Sequence, residues 1–253
     1  MNQFSPFKAV ILIMAVIVAS CSKKTEDVVT PEAAHWDYEH PDWQTQGYSE
    51  CAGTIQSPVD IQTNSTVKAD LPNLSFAYKE FPIQIIDNGH TVQVNNNGNS
   101  SASYNGKTYN FKQFHFHYHS EHFIDGVAGD MELHLVHQEP TSGALLVVGF
   151  LLKKGAASSF FESVLSNWPS KKETEVTTTT SINMASILPA DKRYYSYVGS
   201  LTTPPCSQGV TFFILKAPLE VSSNQLDQFK SHYDHNARPI QLLNSRLIYE
   251  DIL

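Results

Sequence analysis

Two stretches of the chain carry side chains able to hold a metal ion. In Gln113-Phe114-His115-Phe116-His117-Tyr118-His119, polar and aromatic residues alternate strictly. As a strand, this run places Gln113, His115, His117 and His119 on one face and the three aromatics on the other. A second run, Glu132-Leu133-His134-Leu135-Val136-His137, puts Glu132, His134 and Val136 on one face and Leu133 and Leu135 on the opposite one. If the strands pair, His134 can lie opposite the His115/His117 pair, and three imidazoles converge. A zinc ion at about 2.0–2.1 Å from each nitrogen requires nitrogens roughly 3.4 Å apart. Residues i and i+2 stand about 6.8 Å apart along a strand, a gap that two imidazoles close by leaning together. His119 shares the face but lies about 13 Å from His115 on an extended chain, so it joins only if the chain bends. His122 falls past the strand, and His137 falls on the wrong face. A lone histidine is ordinarily a core or surface residue. From spacing alone, a metal site and a merely structural role both stay open.

The donor types say what such an ion would do. Structural zinc sites are usually closed by four protein ligands, often cysteines. Three neutral histidines leave the ion its full charge and an open position, which favours hydroxide over water. The chemistry to expect is activation of a water molecule.

The rest of the chain must hold these strands. Short period-two runs end at turn residues: Ile83–Ile86 before Asp87-Asn88-Gly89, Thr91–Val94 before Asn95–Ser100, and Ser101–Tyr104 before Asn105-Gly106, a tight-hairpin pair. Leu145–Leu152 is a continuous apolar run, as in a strand buried on both faces. Two short peripheral helices are expected. One opens at the capping-box pattern Ser159-Phe160-Phe161-Glu162 and runs to about Trp168; the other opens at Ser222-Ser223-Asn224-Gln225 and runs to about Lys230. The Thr177–Thr180 run fits a strand edge or a loop equally well. No internal repeat or linker divides the chain after His35.

The chain has 253 residues, 41% of them hydrophobic, and a net charge of −8. That is ample material for a core, and the charge argues against a nucleic-acid partner. The N-terminus is a separate object. Lys8 precedes an apolar run from Ala9 to Ala19, too short for the roughly 20 residues a membrane span needs. A secretory signal is expected over 1–20. Val18-Ala19-Ser20-Cys21 resembles a bacterial lipobox, which implies cleavage before Cys21 and a lipid on its thiol; a plain signal peptide or an uncleaved anchor are the alternatives. Residues 21–34 would be a polar tether, and 35–253 the folded domain. Export to the periplasm or cell envelope, anchored to a membrane by lipid, suggests one disulfide between Cys51 and Cys206, with two buried thiols as the alternative. The loop closed would be about 155 residues, with a chain-entropy contribution of roughly 5 kcal/mol.

Taken together, the motifs resemble the alpha-class carbonic anhydrases over nearly all of His35 to Leu253. They occur in that family's order: His35-Trp36-Asp37-Tyr38, Gln56-Ser57-Pro58-Val59-Asp60-Ile61, Asn88-Gly89-His90, the two histidine strands, Ser120-Glu121-His122, Ser200-Leu201-Thr202-Thr203-Pro204-Pro205 and Asn236-Ala237-Arg238-Pro239. The resemblance implies a mostly β (α+β) domain: a large, twisted, largely antiparallel central sheet with short peripheral helices. It implies zinc on His115, His117 and His134, with Gln113 and Glu132 accepting from the imidazoles. It implies reversible hydration of carbon dioxide to bicarbonate and a proton, with carbon dioxide, bicarbonate and water as partners. Thr202, its hydroxyl proton committed to Glu121, would orient the nucleophile. Val136, Val147 and Leu201 would form the apolar wall for carbon dioxide. His90 would shuttle the proton outward, and Tyr38, Asn88 and Thr203 would line the intervening water. The Cys51–Cys206 pairing also matches secreted members.

Two features depart from the family pattern. Phe212 stands where Trp is usual, which alters the shape of the apolar wall. The link between His117 and Glu121 is short, as in bacterial members, which implies a more open cleft. Rival readings are a non-catalytic module of the same fold and a zinc-storage lipoprotein; the first characteristically lacks a ligand, and the second should be rich in histidine. A metalloprotease is disfavoured, because no His-Glu-x-x-His helix occurs. Monomer and homodimer are both compatible with the sequence.

Overall fold

Alternating side chains become the two faces of one sheet. The computed structural model describes residues 35–253; the expected signal, Cys21 and the tether lie outside them. A twelve-stranded sheet dominates. Its continuous path runs Val176–Ile182, Phe81–Asp87, Val92–Asn95, Lys107–Tyr118, Met131–Gln138, Leu145–Lys154, Gln208–Val221, Tyr194–Ser200, Tyr249–Asp251, Val67–Ala69. Leu145–Lys154 with Gln208–Val221, and Tyr249–Asp251 with Val67–Ala69, pair in parallel; the other neighbours on this path are antiparallel. The Thr-rich run is an edge strand, where polar side chains discourage pairing with other chains.

Register follows from burial. Phe114, Phe116, Leu133 and Leu135 are fully buried on one face, among the side chains Phe160, Phe161 and Phe229 of the two helices. Each contributes about 1.5–3 kcal/mol by leaving water. A one-residue slip would drive His115 and His117 into that core and expose the phenylalanines, so the alternation specifies the pairing. On the opposite face, Val147, Phe212, Ile214 and Tyr197 meet Val59, Ile61 and Ile248. His137 lies on the core face, as expected. Burial holds its pKa down to about 4, and its Nε2 pairs with the Tyr78 hydroxyl at 2.9 Å.

Local signals are mostly obeyed. Asn105 and Gly106 have φ of 49° and 74°, both in the left-handed region that a two-residue hairpin turn requires. The helix Ser223–Lys230 has the reciprocal Ser222/Gln225 capping box. The other helix differs from expectation. It spans Ser159–Leu165, stops short of Trp168, and is capped by Ser158, whose Oγ accepts from Phe161 N at 3.2 Å. Glu162 does not complete a box there, because with Ser158 as the cap the third helical position is Phe161; its carboxylate accepts instead from Gln225 Nε2 and Ser166 Oγ.

Cys51 and Cys206 form a disulfide. It ties the short turn Ser49–Ala52 to the loop that follows Thr202. Among the described residues, no helix is long and apolar enough to cross a membrane.

Candidate metal centre

The pairing of the two histidine strands sets His134 opposite His115, Glu132 opposite His117 and Val136 opposite Gln113. The imidazole centres of His115, His117 and His134 lie 4.8 to 5.3 Å apart. Three imidazoles on a tetrahedral ion at 2.0–2.1 Å have centres about 5 Å apart, so the cluster is already close to that size. One nitrogen of each ring falls within 4.8 Å of the others. His119 does not join them: the strand ends at Tyr118, and His119 Nδ1 turns to the carbonyl of Ser120 at 2.9 Å.

Each outward nitrogen meets an oxygen. His115 Nδ1 donates to Gln113 Oε1 at 2.8 Å, His117 Nδ1 to the Asn236 carbonyl at 2.7 Å, and His134 Nε2 to Glu132 Oε1 at 2.8 Å. With the outer nitrogens as donors, the inner ones present lone pairs to a common point. His117 Nε2 is buried without a hydrogen-bond partner, which is costly unless a cation takes it. Burial first, then mutual repulsion, holds His115 well below its ordinary pKa; burial also lowers His117. The donor set and the size fit a zinc ion.

Glu132 does more than orient one imidazole. Its Oε1 also accepts from His122 Nδ1 at 2.7 Å, and its Oε2 accepts from the backbone N–H of Glu121 and of His122 at 2.9 and 2.7 Å. Burial opposes its charge, but His122 and His134 prevail and hold the carboxyl well below its ordinary value. The same side chain thus positions a ligand and the loop that carries Glu121. Behind it, His122 Nε2 and the Tyr197 hydroxyl lie 2.6 Å apart.

Glu121 corrects one expectation. Its Oε1 accepts from Arg238 N at 2.9 Å, while Oε2 points toward His117 Nε2 and His134 Nδ1, at 3.3 and 3.8 Å, outside hydrogen-bond geometry. No hydrogen bond joins it to Thr202 among the described residues: Oε1 is taken by Arg238 N, and Oε2 has no hydrogen-bond partner. Thr202 is buried in the loop closed by Leu201 N to Ser207 O and Cys206 N to Thr203 O.

Val136, Val147, Leu201 and Phe212 belong to one apolar cluster, and Val136, Val147 and Phe212 follow one another across adjacent strands. The Phe212 ring stacks on Tyr197 and sits 5.9 Å from the His134 ring. Opposite His134 on the neighbouring strand is Gly149, where a Cβ would stand 2.6 Å from Ile214 Cδ1 and 3.0 Å from Glu132 Oε1.

His90 lies in the turn before Val92–Asn95. Asn88 Oδ1 accepts from the backbone N–H of His90 and of Thr91, so the Asn88 oxygen holds this turn. The His90 ring stacks on Trp36 with centres 3.7 Å apart. Burial, then repulsion from His35 and Lys172, holds His90 below its ordinary pKa. Tyr38 is buried beside it, ring centres 6.4 Å apart, and burial pushes its phenol well above the ordinary value. Thr203 is half-buried in the Thr202 loop.

Residues 38–252 match the family model described as eukaryotic-type carbonic anhydrase. The chain belongs to that family. Among its relatives, a carbonic anhydrase of Klebsiella pneumoniae is 38% identical over 88% of this chain and 93% of that protein. One of Nostoc sp. is 37% identical over 88% of this chain and 84% of that protein. The solved alpha-carbonic anhydrase of Thermovibrio ammonificans, in complex with the inhibitor sulfanilamide, superposes with a TM-score of 0.82 at 36% identity, over 86% of this chain and all of that one.

Asn236, Arg238 and Gly149 are among the contributors to which the sequence alone assigns no role. Asn236 and Arg238 stood in a quoted motif, but what they touch depends on a fold that returns them to the strands from more than a hundred residues away. Gly149 left a signal, since a glycine inside a buried apolar strand marks a close approach.

Proposed function

We propose that His115, His117 and His134 hold one zinc ion and that the chain uses it for the reversible hydration of carbon dioxide to bicarbonate and a proton. The observation that carries this reading is the cluster itself: three imidazoles at ion-binding separation, each outward nitrogen held by an oxygen. When bound, the ion supplies a positive charge that makes a water molecule nucleophilic at neutral pH. Glu132, Gln113 and the Asn236 carbonyl keep the rings in the tautomer that leaves the inner lone pairs free. Glu121 Oε2 is buried with no hydrogen-bond partner; turned from the imidazoles, it would accept from the Thr202 hydroxyl, which would then accept a hydrogen bond from the nucleophile and aim it. Val136, Val147, Leu201 and Phe212 exclude water from one side, a wall suited to a molecule without a dipole. His90 takes the released proton to bulk water, with Tyr38 and Thr203 ordering the path. All three ligands, Thr202 and Glu121 are present, which disfavours a non-catalytic module, and one three-histidine group among the described residues disfavours zinc storage.

His134→Ala should abolish zinc retention and carbon dioxide hydration together, with one zinc per chain in the wild type. Tight zinc in the variant, or wild-type activity unaffected by zinc removal, would refute the assignment. Export and a lipid on Cys21 belong to the same proposal. They are supported by the N-terminal residue order and by the disulfide, which persists in oxidising compartments. Labelled fatty acid should enter the membrane-bound chain and be lost in Cys21→Ser; label retained by that variant would sink the lipid reading.

A further inference from the structure

We infer that the Asn236 side chain is a positioning residue for proton export, bracing the His90 turn against the metal-ligand strand. The inference rests on His90 as the shuttle.

Asn236 is fully buried and uses both ends of its amide. Its Oδ1 accepts from Tyr118 N at 2.7 Å; its Nδ2 donates to the carbonyls of Phe116 and His90, each at 3.0 Å. One amide thus joins the residues on either side of His117 to the shuttle residue itself. The sheet does not supply this link. Pairing between Val92–Asn95 and the histidine strand covers Gln93 with His115, Val94 with Phe114 and Asn95 with Gln113, and stops before Phe116. Beyond that point the turn is held to the strand by Asn236 and by Thr91 Oγ1, which donates to the Phe116 carbonyl at 2.6 Å. Asn88 and Asp87 accept from backbone N–H groups within the turn, and the bonds by which Asp87 leaves it go to Trp168, Tyr233 and Glu173, none of them on the histidine strand. The contact that orients His117 is the Asn236 main-chain oxygen, so a side-chain change separates proton export from metal binding.

Asn236→Asp is the sharpest variant. One carboxylate oxygen still accepts from Tyr118 N, while the other faces two carbonyls and is repelled. Turnover in weak buffer should fall by about ten- to a hundredfold, the upper figure being the scale of misplacing a catalytic group by an ångström. Imidazole should restore it, a rescue that a loss of orientation at His117 would not give. The upfield shift that Trp36 imposes on the His90 ring protons should shrink, in the zinc-free protein as well. His90→Ala alone should show the same weak-buffer loss, and the double variant no further loss. Should Asn236→Asp not fold, Asn236→Ser keeps an acceptor for Tyr118 N and removes the brace, with the same expectations. If His90→Ala slows turnover but the Asn236 variant does not, or its loss is not restored by imidazole, or the His90 resonances stay put, the brace is wrong and the shuttle stands. If His90→Ala leaves weak-buffer turnover unchanged, the shuttle reading fails and takes the brace with it.

Discussion

Replacing Glu132 with Gln is a small change in shape and a large one in hydrogen bonding. The carboxylate takes four N–H donors: His122 Nδ1 and His134 Nε2 on Oε1, and the backbone N–H of Glu121 and of His122 on Oε2. A glutamine offers one oxygen and one amino group. If the amino group faces the imidazoles, His134 can accept only by moving its proton to Nδ1, the nitrogen aimed at the other two rings. If it faces the backbone, it meets two donors that cannot adjust. Either way two of four bonds are lost. At about 1.5–3 kcal/mol for each bond to a charged group, the loss is about 3–6 kcal/mol. Removing a partner that orients a ligand typically weakens zinc binding about 10–100-fold, or about 1.4–2.8 kcal/mol, so the remainder should lower the stability of the zinc-free fold. Competition with a chelator reads the first part, and urea unfolding without zinc reads the second. The pH dependence adds a signature. The folded carboxyl resists protonation below its ordinary value of 4.5, so its contribution is present above that pH and is lost as pH falls through the lower folded value. Wild-type stability should therefore fall on acidification below 4.5, and the Gln variant should fall less. Zinc affinity within twofold of wild type and an unchanged urea midpoint would refute the role given to Glu132.

Gly149→Ala should cost about 1–3 kcal/mol in urea unfolding and weaken zinc binding, because the new methyl displaces Ile214 Cδ1 and then Glu132 Oε1; equal zinc affinity would show that the floor beneath His134 tolerates bulk. Replacing both Cys51 and Cys206 with Ser opens a loop of 155 residues and should cost about 2–5 kcal/mol, read as a lower unfolding midpoint. An unchanged midpoint would mean that hydrogen bonds alone hold the Thr202 loop. In weak buffer, turnover should rise with pH as His90 loses its proton, with a midpoint below 6.5, and Lys172→Ala should move that midpoint upward. A wild-type midpoint above 6.5 would contradict the burial seen for this ring.

Much of the site was legible because its logic is local. The alternation from Gln113 to His119 states which residues share a face, and the apolar partners state which face is inside. Leu133 and Leu135 do the same for the second strand, so the convergence of His115, His117 and His134 follows once the strands pair. The exclusion of His119 held, although for a different reason: the strand ends before it. The first helix starts one residue earlier than its pattern implies, because Ser158 and Ser159 are both cap-forming residues and it is Ser158 Oγ that accepts from Phe161 N, leaving Glu162 to pair with Gln225 of the other helix.

Residue types and short-range spacing by themselves determined which faces of the two strands carry the histidines, the strand character, the hairpin at Asn105-Gly106 and the second capping box, since each rests on the two-residue period of a strand or on one turn of helix. Only the tertiary structure decided what stands behind those residues. Asn236 reaches His117 and His90, Arg238 reaches Glu121, and Gly149 clears space for His134 and Glu132. These are hydrogen bonds and clearances between segments far apart in the chain. No local periodicity encodes them, because they exist only where the folded sheet and its returning loop bring those atoms within bonding distance.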